Sequence, residues 1–582
     1  MAMFTGFHAY DDEGYFLITL RDYLSGQPLL SPAAPVNGPF FYETMGGLFK
    51  LLGADPGHDA GRYLTLAIWL IGSVIAGLTA YRLTRSLWLG LSALLVMFHV
   101  LGALTTEPAS PSGMVSLLLI CLVAAASFRS ARPRATAAII GAIVGALCLT
   151  KINVGGFAAF AVIFAWAGSL ASRWRRVMLP ASGLAVTLLP LALMSPLLSR
   201  DWVWEFAIGL ALSGFLVAIT CLAYASRPMP PASSVWLAGG GALLVVLCAA
   251  IAVAGGSNVR DWWNALVVVP LRIPHLITWP LQVNLVFDLW AAAVLIAALA
   301  TRYLARLTAV MAGVVRVAAG LFMLLAALLL PSSIFMLAVP LVWIASVRPS
   351  REEDDPVGGY CRLLLPALAV LAALQAYPVA GTELSLSAVS IVPVGAVILG
   401  DGIRELQGAG LRRPAHFAAW AAPAALLVNM QVLLLVGYLA TAGFFDGTPL
   451  GLAGAGSVRL PAQNASDLRA LVAAIDRDCS EFITFPGMNS LYLWTGQRPP
   501  TDVRSEIWMI TFDDAAQQSL VQQLQAMPRL CVVKNQHEID FWTRGATVPD
   551  RPLVRFIDGG FSSGGTFGDY ALLIRNGTGG AQ

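Results

Sequence analysis

Charged residues are scarce in this chain. Asp, Glu, Lys and Arg make up only 12% of its 582 residues, whereas 57% are hydrophobic and the mean hydropathy is +0.73. A soluble protein carries about twice that share of charge. The composition therefore excludes a soluble globular protein and predicts a multi-pass α-helical membrane protein. The formal net charge of +3 does not indicate a nucleic-acid partner, because the positive charges are spread among loops.

The sequence also lacks several signatures of metal and nucleotide chemistry. No CxxC pair or Cys/His cluster is present, so nothing indicates a zinc site. The absence of a Walker A segment, a strand-linked GxGxxG and HExxH argues against a nucleotide-driven pump or a membrane zinc protease. No internal repeat of 20 to 50 residues is visible, so the sequence does not indicate a solenoid. Five cysteines lie in or beside apolar runs and are expected to be packing residues: Cys121, Cys148, Cys221, Cys248 and Cys361.

Long apolar runs dominate what is present. About fourteen runs are long enough, or nearly so, to cross a bilayer, with an allowance of two because several are short. Arg316 interrupts one of them. They fall at about 62–83, 86–104, 112–127, 136–150, 153–172, 177–197, 203–225, 233–255, 283–301, 307–328, 331–347, 357–377, 386–402 and 417–441.

Loop charges predict the orientation of these spans. If residues 1–61 lie outside, the inner loops contain sixteen arginines, from Arg82 to Arg413, and the outer loops contain only four cations. Those four are Lys151, Arg200, Arg260 and Arg272. The positive-inside rule then places the N-terminal segment and the C-terminal region on the same outer face.

The N-terminal segment raises a question of its own. Residues 1–20 are acidic and lack an isolated apolar core, so they do not read as a signal peptide. No span precedes the acids to carry them across the membrane. Either an upstream span is missing from this sequence, or the N-terminus crosses unaided. We favour the missing span, because Asp11, Asp12 and Glu13 oppose unaided translocation.

Composition divides the chain into three regions: an outer segment 1–61, a membrane domain 62–445 and an outer domain 446–582. The third begins with a Gly-rich linker, GTPLGLAGAGS, and then carries dense charge. Helices are expected at 467–479 and 519–527, and strands at 481–485, 529–534 and 570–575, which predicts a small α/β domain. Cys479 and Cys531 either form a disulfide in an oxidising compartment or remain buried free thiols.

The first region contains three adjacent acids, Asp11, Asp12 and Glu13. An amphipathic helix ending near Gly26 is expected to follow, and a turn at Asn37 then opens a second short helix at Pro39. That second helix should bury a set of apolar residues: Phe40, Phe41, Met45, Leu48 and Leu52. Neither helix is long enough to cross the bilayer, so both suit its interface. Acids held on a loop there suggest a catalytic acid or base; a solvated acidic terminus is the alternative.

Other outer loops supply further polar residues. Glu107 is followed by Pro108 and Pro111, which stiffen a short loop, and it is either a site residue or an acid at a helix start. Lys151 lies at the outer end of an apolar run. Either it binds a lipid phosphate, or its side chain simply snorkels to the membrane surface. Arg272 and His275 lie in a Trp- and Pro-rich segment and are candidates for phosphate contact, although a headgroup-anchored belt suits His275 better. Glu383 has no assigned role.

Together these loops suggest an enzyme with an anionic lipid donor and an acceptor that arrives from outside. A carboxylate can take the proton of an acceptor hydroxyl, and cations can stabilise a departing phosphate. Phosphate is already a good leaving group, so no metal is strictly required; dependence on a divalent metal stays open. The competing hypotheses are a transporter or flippase and a non-catalytic polysaccharide-assembly subunit. Transporters usually place ionisable groups at mid-membrane and often show internal repetition, unlike this chain.

The Asp-Glu-Gly-Tyr run at 12–15, the Asn37 turn and the acid of the second outer loop resemble the GT-C membrane glycosyltransferases. This superfamily includes protein O-mannosyltransferases and aminoarabinose transferases. The segments FPGMNSLYLWTGQRPPT (485–501) and QAYPVAG (375–381) look typical of uncharacterised bacterial members with a C-terminal outer domain. The resemblance implies a GT-C-like membrane fold with a small α/β extramembrane domain.

The resemblance also implies an activity and a site. The donor would be a sugar linked to polyprenyl phosphate, and the acceptor a glycan, lipid or protein, with inversion at the sugar carbon. The catalytic acids would be Asp12 and Glu13, with Asp11 as an alternative base, and Glu107 would be the second-loop acid. We expect substrate binding by Lys151, Arg272, His275 and Asn37 as well. The expected location is a bacterial inner membrane, with the C-terminal domain periplasmic or extracellular.

Overall fold

A computed structural model describes most of the chain. The described residues are 1–8, 10–29, 37–128, 132–170, 172–223, 232–282, 285–330, 333–349, 355–409, 412–501, 505 and 507–576. Arg129, Arg227 and Arg351, which contributed to the predicted loop bias, lie outside this set.

The N-terminal region is more deeply packed than the sequence predicts. After a 3₁₀ helix, Ala2–Phe4, it forms α1 (Asp12–Leu24) and α2 (Pro39–Leu52). The three acids are not on a loop: Asp11 caps α1, and Asp12 and Glu13 form its first turn. Helix α1 is also not the amphipathic helix that the sequence predicts. Leu17, Ile18 and Leu20 are fully buried on different sides of α1, because α2, α3 and a helix of the C-terminal region all pack against it.

The second helix buries a narrower set of side chains than expected. Phe41 and Met45 are buried, and Phe49 completes the same stripe at a spacing of four residues. Phe40 and Leu48 are half-buried. The prediction that Leu52 is buried is wrong: it is 64% exposed at the last turn of α2.

The region from residue 58 to residue 446 is helical. Its α-helices are α3 (His58–Thr84), α4 (Leu87–Gly102), α5 (Pro111–Ser127), α6 (Pro133–Thr150), α7 (Ile152–Gly168), α8 (Ser172–Met194), α9 (Asp201–Ala223), α10 (Ala232–Ala254), α11 (Val259–Trp263), α12 (Val269–Leu276), α13 (Leu285–Ala300), α14 (Ala309–Ala326), α15 (Gly358–Ala373), α16 (Glu383–Val389), α17 (Ile391–Gly408) and α18 (Arg412–Asp446). A π-helix, Asn264–Val268, joins α11 to α12, and the 3₁₀ helices are Ala103–Thr106, Ser195–Leu197, Ala327–Leu329, Ser333–Ser346 and Leu374–Ala376.

Each predicted span falls on an apolar helix. Ten helices in the described part of the chain are long and apolar enough to cross a membrane, and four apolar helices are shorter. One of the four, Ser333–Ser346, is a 3₁₀ helix. A 3₁₀ helix rises about 2.0 Å per residue, so these fourteen residues extend over roughly 28 Å, close to the thickness of the hydrocarbon core. The prediction of a multi-pass α-helical membrane protein is confirmed.

Arg316, which interrupts an apolar run, is neutralised inside the helix bundle. Its side chain is 1% exposed and pairs with Asp401 at 3.5 Å and with Glu405 at 2.9 Å, both on α17. Asp401 also accepts from Arg362 on α15 at 2.8 Å. A buried charge is costly without a partner. The network therefore explains how an arginine fits this span, and it joins α14, α15 and α17.

The C-terminal region is the predicted small α/β domain. Its helices are α19 (Ala462–Asp478), α20 (Ser490–Thr495), α21 (Trp508–Thr511), α22 (Asp514–Gln525), α23 (Gln536–Thr543) and α24 (Pro552–Gly560). Its strands are β1 (Thr448–Pro449), β2 (Arg459–Leu460), β3 (Glu481–Phe485), β4 (Leu530–Asn535), β5 (Phe561–Phe567) and β6 (Tyr570–Arg575). Four strands form a sheet in the order β3-β4-β6-β5, in which only the β3–β4 pair is parallel. Cys479, after α19, and Cys531, on β4, form a disulfide, with Cα atoms 5.7 Å apart.

The Gly-rich segment before this domain is anchored rather than a free linker. Strand β1 pairs antiparallel with β2. The backbone N–H of Asp59, in the first turn of α3, donates to the Gly454 carbonyl at 2.8 Å, and the Asp59 carboxylate accepts from Ser457 N at 3.0 Å. These contacts to α3 hold the segment in place, although its glycine content predicts a flexible linker. The small residues allow the two backbones to approach each other closely.

Candidate active site

The N-terminus of α1 is held by the C-terminal domain. Asp11 has a left-handed backbone (φ 58°), which Asp tolerates better than most residues. Its carboxylate accepts from Gly14 N at 3.0 Å and from both the backbone N and the hydroxyl of Ser490 at 2.5 Å each. A Cβ at position 14 would lie 2.4 Å from Asp11 Oδ1 and from Ser490 N. The Gly of the Asp-Glu-Gly-Tyr run is therefore required by this contact.

Asp11 is poorly placed to act as a base. It is 1% exposed, and both of its oxygens accept hydrogen bonds. Burial raises its pKa to about 7, while the hydrogen bonds from Ser490 and Gly14 act in the opposite direction. The geometry is that of a residue that positions the start of α1.

Glu13 is likewise enclosed. Arg62 of α3 donates to it twice, from Nε at 2.9 Å and from Nη2 at 2.7 Å, and His58 Nδ1 lies 3.0 Å from Oε2. Burial alone would raise the pKa of Glu13, but the neighbouring His58 and Arg62 outweigh it and lower the pKa to about 2. Glu13 thus remains an ionised anchor between α1 and α3. Its geometry does not suit a proton acceptor for substrate.

Asp12, the first residue of α1, lies near the loop that joins the 3₁₀ helix Ala103–Thr106 to α5. It is half-buried, and its charge acts on Glu107, whose pKa is raised well above its usual range by burial, then by Asp12 and Glu383. Thr382 Oγ1 donates to Glu107 Oε2 at 2.8 Å. We call Asp12, Glu107 and Glu383 the outer acid cluster. Neighbouring carboxylates that act on one another in this way favour binding of a proton.

Lys151 belongs to the same place. It separates α6 from α7, and its Nζ lies 3.0 Å from Glu383 Oε1. The turn at Asn37 packs beside it, since Gly38 N donates to the Thr150 carbonyl at 2.9 Å. A Cβ at position 38 would lie 2.0 Å from the Leu149 carbonyl oxygen, so glycine is needed there. The structure therefore brings Asp12, Glu107, Lys151 and the Asn37 turn together.

Arg272 and His275 are not part of this grouping. Both side chains are exposed on α12. Within the described chain, neither forms a hydrogen bond or ion pair with the outer acid cluster. Their placement fits a belt at the membrane surface better than direct contact with the acids.

Four residues near the site carried little or no sequence signal. Thr382 and Glu383 directly follow the 375–381 segment, and Ser490 lies within the 485–501 segment, so proximity to the two family-like stretches was the available hint. Tyr10 donates its hydroxyl to the Thr106 carbonyl at 2.9 Å, next to Glu107. Its pKa is raised by burial first and then by Glu107 and Asp12.

Several aromatic rings pack together around Tyr10. Tyr10 stacks between His8, at 5.2 Å, and Phe541 of α23, at 5.7 Å between ring centroids. Trp279 lies 5.0 Å from Phe541, and the Arg544 guanidinium lies over the Trp279 ring at 5.8 Å. We call Tyr10, Trp279 and Phe541 the aromatic rim. Through these contacts, α23 of the C-terminal domain meets the segment before α1 and the segment after α12.

Across the described ranges, no group of three or more His, Cys, Asp and Glu side chains has the arrangement of a metal site.

Comparison with known proteins adds information on the fold. No protein-family model and no curated protein sequence matches the chain. Among solved structures, ArnT from Cupriavidus metallidurans bound to undecaprenyl phosphate matches with a TM-score of 0.50 and 12% identity, over 100% of this chain and 96% of ArnT. The chain shares its fold with ArnT, which is a GT-C structure.

A second GT-C structure is more distant. The Archaeoglobus fulgidus oligosaccharyltransferase tethered to an acceptor peptide matches with a TM-score of 0.42 and 14% identity, over 97% of this chain and 70% of that protein. The predicted fold class, a GT-C-like helical membrane protein with a small C-terminal α/β domain, is confirmed.

Proposed function

We propose that this chain is a membrane glycosyltransferase that moves a sugar from a polyprenyl-phosphate donor to an acceptor at the outer face of the membrane. One observation carries the proposal: the charges of Asp12, Glu383 and Lys151 all act on Glu107, and Lys151 Nζ lies 3.0 Å from Glu383 Oε1, although these residues come from separate segments of the chain. Such a grouping would set a proton acceptor near a cation suited to phosphate. ArnT, which shares the fold, was solved with undecaprenyl phosphate.

The residues suggest a single displacement. The acceptor hydroxyl oxygen bonds to the anomeric carbon as the bond from that carbon to the phosphate oxygen breaks. The electron pair leaves with polyprenyl phosphate, and the hydroxyl proton passes to Asp12. In-line displacement inverts the anomeric carbon. Lys151 stabilises the charge that develops on the leaving phosphate.

Asp12 is the preferred base among the three N-terminal acids. Asp11 is saturated by Gly14 and Ser490, and Glu13 is held as an anion by Arg62 and His58. Asp12 is only half-buried and lies beside Glu107.

We place the acids and the C-terminal domain outside the cytoplasm of a bacterial cell. The arginine bias supports this orientation. The Cys479–Cys531 disulfide supports it independently, because disulfides persist in oxidising compartments. The acceptor, whether glycan, lipid or protein, would therefore approach from the periplasmic or extracellular side.

The direct test is an assay of purified protein with a panel of polyprenyl-phosphate sugars and candidate acceptors. The expected product is free polyprenyl phosphate, formed together with a glycosylated acceptor of inverted configuration. Transport of an intact lipid-linked sugar across proteoliposomes, without cleavage of any donor, would instead identify a flippase.

A further inference from the structure

Two consecutive residues, Thr382 and Glu383, hold the two key groups of the proposed site. Thr382 Oγ1 donates to Glu107 Oε2 at 2.8 Å, and Glu383 Oε1 lies 3.0 Å from Lys151 Nζ. We call this dipeptide the Thr382–Glu383 clasp. It stands at the start of α16, which packs against α15 and α5.

The ion pair of the clasp is accessible to exchange. Lys151 and Glu383 are 24% and 23% exposed, so neither is sealed in the protein interior. Partial exposure keeps the net stability of such a pair small, because solvent screens the attraction. A ligand with a stronger or doubly charged anion can therefore replace the carboxylate at Lys151.

The charges of the site require such an exchange. The outer acid cluster already has three carboxylates close together, and a donor phosphate would add a further negative charge beside them. If Glu383 stayed paired with Lys151, the carboxylates would repel the phosphate and the charge of Lys151 would be only partly available to offset that repulsion. A lysine ammonium has three hydrogens to donate, but its single positive charge is shared between the two anions.

We propose that Glu383 occupies the position of the donor's phosphate group in the resting protein and must release Lys151 before the donor binds. The inference rests on the proposed function, since the phosphate belongs to the polyprenyl donor. Glu383 is thus a positioning residue: it keeps Lys151 oriented in the empty site and opposes binding of other anions.

The proposal predicts that removing the charge of Glu383 strengthens phosphate binding. Removal of a partner that merely supports Lys151 would weaken phosphate binding, whereas removal of a competitor strengthens it. Glu383→Gln keeps the size of the side chain and abolishes its charge. We expect the Kd for undecaprenyl phosphate in detergent to fall roughly 3- to 10-fold, the range for a screened to partly buried pair.

Matched variants make the measurement specific. Asp201→Asn removes an exposed acid from the first turn of α9 and controls for the loss of one negative charge; its Kd should change less than about twofold. Glu383→Gln in a Lys151→Met background should show no gain, since the released cation is missing. Glu383→Asp keeps the charge but shortens the reach, and it replaces the Gln variant if that variant does not fold; it should also bind more tightly.

The outcomes separate the inference from the proposed function. An unchanged or higher Kd for folded Glu383 variants, in a wild-type protein that binds the lipid and releases it from donors, would overturn only the inference. A gain seen with phosphatidic acid but not with undecaprenyl phosphate would show that Lys151 receives an ordinary phospholipid headgroup, and would overturn it as well. A wild-type protein that neither binds undecaprenyl phosphate nor cleaves any donor would contradict the proposed function itself.

Discussion

Ser490 donates both its backbone N–H and its hydroxyl to the carboxylate of Asp11, at 2.5 Å each. The two residues are 479 positions apart in the sequence. This contact joins α20 of the C-terminal domain to the first turn of α1, and Asp12 is the next residue along that turn. The C-terminal domain therefore helps to set the direction of the proposed base.

Asp12→Asn tests the base. The amide keeps size and polarity but cannot accept the acceptor's proton, so turnover should fall roughly 10²–10⁴-fold. Asp11→Asn should leave turnover much closer to normal but lower the thermal midpoint, because an amide cannot accept all three hydrogen bonds. Both are measured as donor-dependent release of polyprenyl phosphate, alongside a melting curve. Near-normal turnover in both variants would make the acids structural and the mechanism wrong.

Lys151→Ala tests the phosphate contact. The KM for the donor should rise about 10-fold or more, because a hydrogen bond to a charged group contributes about 1.5–3 kcal/mol. Arg272→Ala is the matched control: it removes an exposed cation from α12, away from the outer acid cluster, and should change the KM little. The reverse pattern would move the phosphate site to α12.

Glu13 predicts a specific loss of stability in acid. Its pKa of about 2 in the folded protein lies below the ordinary 4.5, so it stabilises the fold above about pH 4.5 and loses this contribution as the pH falls toward 2. Glu13→Gln should destabilise the protein at pH 7 by about 3–5 kcal/mol, the usual cost of breaking a buried pair. The difference from wild type should shrink between pH 4.5 and 2. Asp11 is present in both proteins, so its own titration cancels; a constant difference would contradict the role of the charge.

The orientation of the chain is testable by cysteine labelling in intact cells. A cysteine introduced at position 500, in the C-terminal domain, should react with an impermeant maleimide. A cysteine at position 132, at the start of α6, should react only after the membrane is permeabilised. Labelling at 132 but not at 500 would invert the assignment.

Phe541→Ala tests whether acceptors pass the aromatic rim. Phe541 is 36% exposed and packs on Tyr10 and Trp279 above the acids. Loss of this ring should raise the KM for the acceptor roughly 2- to 10-fold, in line with about 0.5–1.5 kcal/mol per aromatic contact, and leave the donor KM unchanged. Phe445→Ala, which removes an exposed ring near the end of α18, serves as the control. Equal effects in both variants would argue against a route past the rim.

Hydropathy and periodicity determined much of the architecture. The apolar runs predicted each membrane helix, and the alternation of charge and short apolar segments predicted β3, β4 and β6. These features are local: burial in lipid or in a sheet depends mainly on the residues of the segment itself. The Asp-Glu-Gly-Tyr run and the Asn37 turn likewise indicated the region of the proposed site.

Tertiary structure alone decided the roles of individual residues. Asp11, Asp12 and Glu13 are adjacent and chemically alike, yet Ser490 engages the first, Glu107 neighbours the second and Arg62 holds the third. The partners come from distant parts of the chain, and no local spacing encodes which acid each will meet. Helix α1 turns successive residues by about 100°, so three neighbours face three environments. Packing of the C-terminal domain onto α1, through Ser490, then determined the surroundings of Asp11.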